Sequence, residues 1–149
     1  MRLRSLAFGA VAIGLLAAAG SATAADPIET RQTIMSSVGA AAKVSGEMAK
    51  GEIPYNTDVA MSAFATMAAA GLSYTAFFPE GSEAGGDTRA KETIWTDREG
   101  FVAASEKLAA DASAAIEAKP ADLDAFKVAF GNVAQNCQSC HEDYRVSRD

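Results

Sequence analysis

From residue 26 onward, apolar residues recur every three to four positions in four separate stretches, the spacing that lines one face of an α-helix. No convincing strand lies between them. The clearest stretch is the last, where Leu123, Phe126, Phe130, Val133, Cys137, Cys140 and Tyr144 fall on one stripe. The first has a similar row: Ile28, Arg31, Met35, Val38, Ala42 and Ser45. Capping residues set the limits. Asp26 caps, Pro27 suits the first helical position and Glu29 supplies the acid of a capping box, so the first helix runs to about Lys50, where Gly51 ends it. The second, rich in Ala and Met, runs from about Thr57 to Tyr74. The third opens at a capping box of Thr96 and Glu99 and stops before Pro120; the fourth begins after Asp122.

Four helices with mostly short links predict an all-α fold, an antiparallel up-down-up-down four-helix bundle. One long loop, Phe78 to about Ala90, joins the second helix to the third. The last residues, Val146 to Asp149, are expected to be disordered. Arg31 is the misfit in its row, because a buried and unpaired guanidinium is costly. Either its stem covers apolar surface at the rim of the bundle, or something anionic inside the bundle meets it.

The start of the chain adds a compartment. "MRLR" is a short positive beginning, "SLAFGAVAIGLLAAAG" is an apolar run, and Ala22-Thr23-Ala24 fits the small-x-small site of a secretory signal. The run is shorter than the roughly 20 residues of a spanning helix. Residues 1–24 are therefore expected to be a cleaved signal peptide and residues 25–149 one exported, periplasmic domain. No later stretch is expected to span a membrane. The signal carries Arg2 and Arg4 and no acid, so its loss takes the net charge from −6 to −8. So acidic a domain is a poor candidate for nucleic acid, whose binding needs Lys and Arg against phosphate. It suits a redox partner protein with a basic docking face.

Both cysteines of the chain and its only histidine lie in "CQSCH", Cys137 to His141. Three chemistries use a C-x-x-C. A dithiol redox couple wants the positive N-terminal end of a helix, but this pair lies near a C-terminal end, where the dipole has the wrong sign. Structural zinc wants four N or S ligands, one more than the chain offers. The third is haem: C-x-x-C-H is the attachment signature of c-type haem. Cysteines at i and i+3 project from one side of a helix and reach both vinyl groups on one porphyrin edge. The histidine that follows becomes an axial ligand of the iron. One covalently attached haem c is the cofactor expected, with Cys137 and Cys140 holding it and His141 on the metal.

Around these residues the chain resembles a known family. "ETRQTIM" in the first helix, "KGEIPYN" after it, "EAGGDTRAKETIW" after the second and "CQSCHEDYR" at the end occur in an order similar to that of the class II c-type cytochromes, typified by cytochrome c-prime. The resemblance covers almost everything after residue 24. It implies that Arg31 and Gln32 lie beside the haem propionates, that Asp87 lies near the haem edge, and that Arg145 stands beside the proximal face. It also implies dimers through the first two helices. Met35 falls where this family places the side chain over the distal face of the iron. That residue is a non-bonding lid in high-spin members and the sixth ligand in low-spin relatives, so Met35 does not discriminate.

Two functions follow. With Met35 as ligand, both oxidation states stay six-coordinate and the protein is a periplasmic electron carrier. With Met35 as a lid, it binds nitric oxide or carbon monoxide at an open iron. No enzyme is expected: no second histidine, Ser-His pair or recognisable carboxylate dyad accompanies the motif. Electron transfer ranks first, because methionine permits ligation where leucine or phenylalanine would not.

Overall fold

The computed structural model describes residues 25–147; the expected signal peptide, 1–24, lies outside them. Helices α1 (Pro27–Lys50), α2 (Thr57–Ser73), α3 (Thr93–Thr96), α4 (Arg98–Ala118) and α5 (Leu123–Tyr144) follow in order. The four long ones form the expected bundle, and α3 is a single turn before α4.

Local chemistry accounts for the ends. The Asp26 carboxylate accepts from the Ile28 and Glu29 amides, and the Gly51 amide closes α1 on the carbonyls of Glu47 and Met48. Asn56 caps α2 through the Val59 amide, and Asp122 caps α5 through the Ala125 amide. At α4 the expected capping box does not form. Asp97 is the cap, accepting from the Gly100 amide at 3.2 Å, while Thr96 is spent in α3. Two capping-type residues in succession let the chain choose the carboxylate, which also favours the positive end of the helix. Beyond Ser73 a tighter 3-10 turn, Tyr74–Phe77, carries α2 into the loop.

Short links make α1–α2 and α4–α5 antiparallel, and Tyr55 in the first link donates its hydroxyl to the Pro120 carbonyl in the second at 2.6 Å. One end of the bundle is thereby tied. At the other end lie the start of α1, the end of α5 and the long connection from residue 74 to residue 97. By length and composition Thr57–Phe77 is apolar enough to cross a membrane, contrary to expectation. Alanine explains this: it scores as apolar yet has little side chain, and Ala60, Ala63, Ala68 and Ala70 face the core beside Phe64 and Met67.

Small residues let α2 and α4 approach closely. Ser105 Oγ donates to the Gly71 carbonyl at 2.8 Å, and a Cβ on Gly71 would stand 2.6 Å from the Ala109 nitrogen and 2.8 Å from the Ser105 oxygen. The larger core cluster is built on Met48, Phe64, Met67, Phe126 and Val133, with Phe126 ringed by Tyr55, Phe64 and Phe130. Ser45 is buried on α1, and among the described residues its hydroxyl has no partner. A second cluster, Phe78, Ile94, Phe101 and Tyr144, fills the other end.

One polar tie joins α4 to α5. Buried Asn136 donates from Nδ2 to the Asp111 carboxylate at 2.7 Å, and Lys107 Nζ meets the same carboxylate at 2.6 Å. These two bonds, Asn136 first, hold the Asp111 carboxyl below its ordinary range.

Gly71→Ala should lower stability by about 2 kcal/mol, the cost of overpacking a tight core, because its Cβ meets backbone that cannot step aside. Thermal melting of the two proteins checks this; an unchanged midpoint would mean the helices can part freely. For Asp111 the sign is that of a depressed carboxylate. Its contribution is present above the ordinary carboxylate value and is lost as pH falls below about 4. Asn136→Ala should therefore melt below the wild type at pH 7, and the gap should narrow in acid. A gap as wide at pH 3 as at pH 7 would remove the charge-assisted bond from the account.

Candidate functional site

Cys137, Cys140 and His141 lie on the last two turns of α5. The helix continues there because its stripe is covered on the inside: Val133 and Tyr144 are buried, and Cys140 packs against the Phe78, Ile94, Phe101 and Tyr144 cluster. Both thiols are free and half-buried, one turn apart. Burial pushes both thiol pKa values up, and Cys140 is raised further by Cys137 and Asp143. Neither is therefore the low-pKa thiolate of a redox dithiol. His141 is shifted the other way, first by burial and then by the positive charges of Arg145 and Arg89. Its imidazole is held neutral, the form that ligates a metal. Among the described residues no three His, Cys, Asp or Glu side chains gather to hold a bare metal ion. Two free thiols on one side of a helix and a neutral imidazole beside them fit a haem rather than zinc.

The end of α5 is held from outside by the connection that precedes α4. The Lys91 amide donates to the Tyr144 carbonyl at 3.1 Å, Lys91 Nζ to the Glu142 carbonyl at 2.6 Å, and Thr93 Oγ1 to the Asp143 carbonyl at 2.8 Å. Ala90 pairs with Arg145 in an isolated antiparallel bridge. The Val146 amide reaches the Arg89 carbonyl at 2.9 Å, and Arg89 Nη2 returns to the Val146 carbonyl at 2.6 Å. Val146, expected among the disordered last residues, is thus fixed; residues 148 and 149 lie outside the described range. Inside, the buried Tyr144 hydroxyl donates to Asp97 Oδ2 at 2.9 Å. Burial and that carboxylate push the Tyr144 pKa up to about 12. Gly100 makes room for the bond, since a Cβ there would stand 2.3 Å from Asp97 Oδ2 and 2.6 Å from the Tyr144 hydroxyl. Sequence reasoning passed over Lys91, Thr93, Asp97 and Asn136. Each has a partner far along the chain that no short-range pattern marks; Asp97 carries a capping signal as well, but nothing local points to Tyr144.

The candidate residues of α1 meet the long connection at the same end. Arg31, 3 % exposed, is neither at the rim nor opposite an anion of the protein. Nη1 donates to the Phe77 carbonyl and Ser82 Oγ, and Nη2 to the Ser82 carbonyl at 2.8 Å and Thr88 Oγ1 at 2.7 Å. Its guanidinium lies 4.7 Å over the Phe78 ring and 5.8 Å from that of Trp95. Burial lowers its pKa, opposed by Tyr74, Asp26 and Glu83. Gln32 Nε2 donates to the Asp87 carbonyl at 3.0 Å, while the Asp87 side chain is exposed. Arg31, Gln32 and Asp87 are thus brought together by the loop. Tyr74 lies between them and the motif: its pKa is raised to about 12 chiefly by burial, with Arg31 and Arg145 lowering it and Cys140 raising it.

Met35 is half-buried on the core face of α1, packed against the larger cluster. It lies eight residues in from Pro27, and Cys137 lies seven in from Tyr144 at the same end of the bundle. Met48 and Met67 are fully buried in the core.

Comparison with known proteins agrees with this arrangement. The family model described as Cytochrome C' matches residues 26–145. A cytochrome c' of Rhodopseudomonas palustris is 37% identical over 123 residues, 83% of this chain and 84% of that protein. Its solved structure superposes with a TM-score of 0.81 at 36% identity, covering 85% of this chain and 100% of the other. A cytochrome c-556 of Agrobacterium fabrum is 29% identical over 99% of each chain. The nitric oxide complex of a mutant cytochrome c prime from Alcaligenes xylosoxidans is similar at a TM-score of 0.72 and 25% identity, covering 83% and 95%. Members of the matched family carry a covalently attached c-type haem. With free thiols, a neutral imidazole and the four-helix frame in place, the chain belongs to the cytochrome c' family and is a haem c protein.

Proposed function

We propose that this protein is a periplasmic electron carrier, and not an enzyme, in which Met35 and His141 would both hold the haem iron. The observation that carries the reading is the placement of Met35: half-buried, core-facing, and on the neighbouring helix at the same end of the bundle as Cys137. A bound haem supplies one-electron redox chemistry at its iron. The chain's own residues do the rest. Cys137 and Cys140 anchor the group by thioethers, so that it stays with the chain in both oxidation states. His141 offers a neutral nitrogen, kept so by burial and by Arg145 and Arg89. The Lys91 and Thr93 bonds fix the turn that carries it. Met35 would offer a soft thioether as a second ligand. Arg31 and Gln32 supply positive potential and a donor where propionates would lie. The guanidinium suits that place because its present acceptors are neutral and leave its charge uncompensated.

A second reading has its own support. In the Alcaligenes relative the bound molecule is nitric oxide, and there Met35 would serve only as a lid over an open iron.

Acid-acetone extraction should leave the colour on the polypeptide, and its mass should exceed that of the colourless chain by one haem. A colourless protein, made where haem attachment is supported, would overturn the assignment of Cys137 and Cys140. The native protein should be low-spin with the weak long-wavelength band of sulfur ligation, and should bind carbon monoxide poorly. Met35→Ala should become high-spin and bind it readily. A wild type already high-spin, changed by the substitution only in gas affinity, gives first place to the lid.

A further inference from the structure

The charge of the whole chain and the charge around its iron ligand have opposite signs. Beside His141 the surface forms an open cleft of about 430 Å³ lined by Lys91, Gln138, His141, Glu142, Arg145 and Ser147. Two of these side chains are cations and one is an acid. Glu142 keeps its charge, since its one partner here is the neutral Gln138 Nε2 at 2.8 Å, so the lining carries one net positive charge. Lys91 Nζ is bonded to a neutral carbonyl, that of Glu142. Among the described residues neither Lys91 nor Arg145 belongs to an ion pair. Their positions are not accidental to the fold, because the Ala90–Arg145 bridge and the bond from the Lys91 amide to the Tyr144 carbonyl set the two side by side. Arg89, on the same strap, hydrogen-bonds the Val146 carbonyl.

The geometry points to a docking surface, formed by Lys91 and Arg145 around the exposed side of His141, for a redox partner that presents a cluster of carboxylates. This rests on the electron-transfer reading above. It differs from what net charge suggests, which is a partner with a basic face. Electron transfer is decided by the face through which the iron is reached. Charges more than about 10 Å away are largely screened at ordinary salt, so Lys91 and Arg145 govern the encounter there while the acids on the rest of the bundle do not. The open, polar lining also suits a surface that docks and releases, since rim charges act mainly on association rates.

The test uses the haem-loaded protein, reduced, and two small oxidants of opposite charge: ferricyanide, an anion, and a cationic tris(phenanthroline)cobalt(III) complex. If the cleft is where electrons leave, the second-order rate with ferricyanide should fall severalfold as salt rises from about 10 mM to about 500 mM, as for opposite charges. The cobalt complex should show the reverse. Arg145→Glu should abolish or invert both trends. Lys50→Glu, the same change of net charge at the far end of α1, should leave them as they are. Equal effects of the two substitutions, or a ferricyanide rate that rises with salt in the wild type, would show that net charge rules and would overturn the proposal while electron transfer stands. Slow reaction with both oxidants at every salt concentration would overturn the electron-transfer reading and this surface with it.

Discussion

The last carbonyls of an α-helix have no partner within the helix, and in this protein the way those of α5 are satisfied constrains everything around the motif. Glu142, Asp143 and Tyr144 each give a carbonyl to Lys91 or Thr93. A helix end left to water frays within its final turn, and here that turn carries His141. The connection between α2 and α4 must therefore be long enough to pass across the end of the bundle and return. In passing it also covers Arg31 through Ser82 and Thr88 and buries Phe78 against Phe101, their rings 4.9 Å apart. What looks from its composition like a spacer is the part of the chain that joins α1 to α5 at the haem end.

The frame of the molecule was legible in the residues themselves. Helix starts are written in Asp26, Asn56 and Asp122, and each caps through an amide two or three residues on. Local chemistry of that kind needs no knowledge of the fold. The stripe of α5 was legible for a similar reason, since a period of 3.6 is a property of the helix alone. The start of α4 was read one residue early because Thr96 and Asp97 both cap well, and only packing against Tyr144 distinguishes them. Arg31 was recognised as a misfit, and of its two anticipated settings the rim is excluded, since the side chain is buried. Its acceptors, Ser82 and Thr88, are about fifty residues distant, and serine and threonine in a loop carry no sign of their partners.

Charge shows the same division between what a sequence carries and what a fold adds. A net value counts residues without regard to place. The fold sets Arg89 and Lys91 on the strap beside Arg145 at the His141 end, where burial first, and then the charges of Arg145 and Arg89, lower the pKa of the imidazole. A surplus of acid over the whole chain is compatible with a basic opening at one point, and only the bridge between Ala90 and Arg145 reveals it.

The half-buried setting of Cys137 and Cys140 has a consequence for how the protein is made. In an oxidising compartment two free thiols one turn apart are at risk of disulfide formation, which would remove both from use. The attacking species in that reaction is the thiolate. Once both sulfurs are committed to thioethers that reaction is closed to them. Cys140 packs against the cluster of Phe78, Ile94, Phe101 and Tyr144, so the second core and the attached group share one anchor, and a substitution that loosens Phe78 or Phe101 would reach the haem without touching any residue bonded to it.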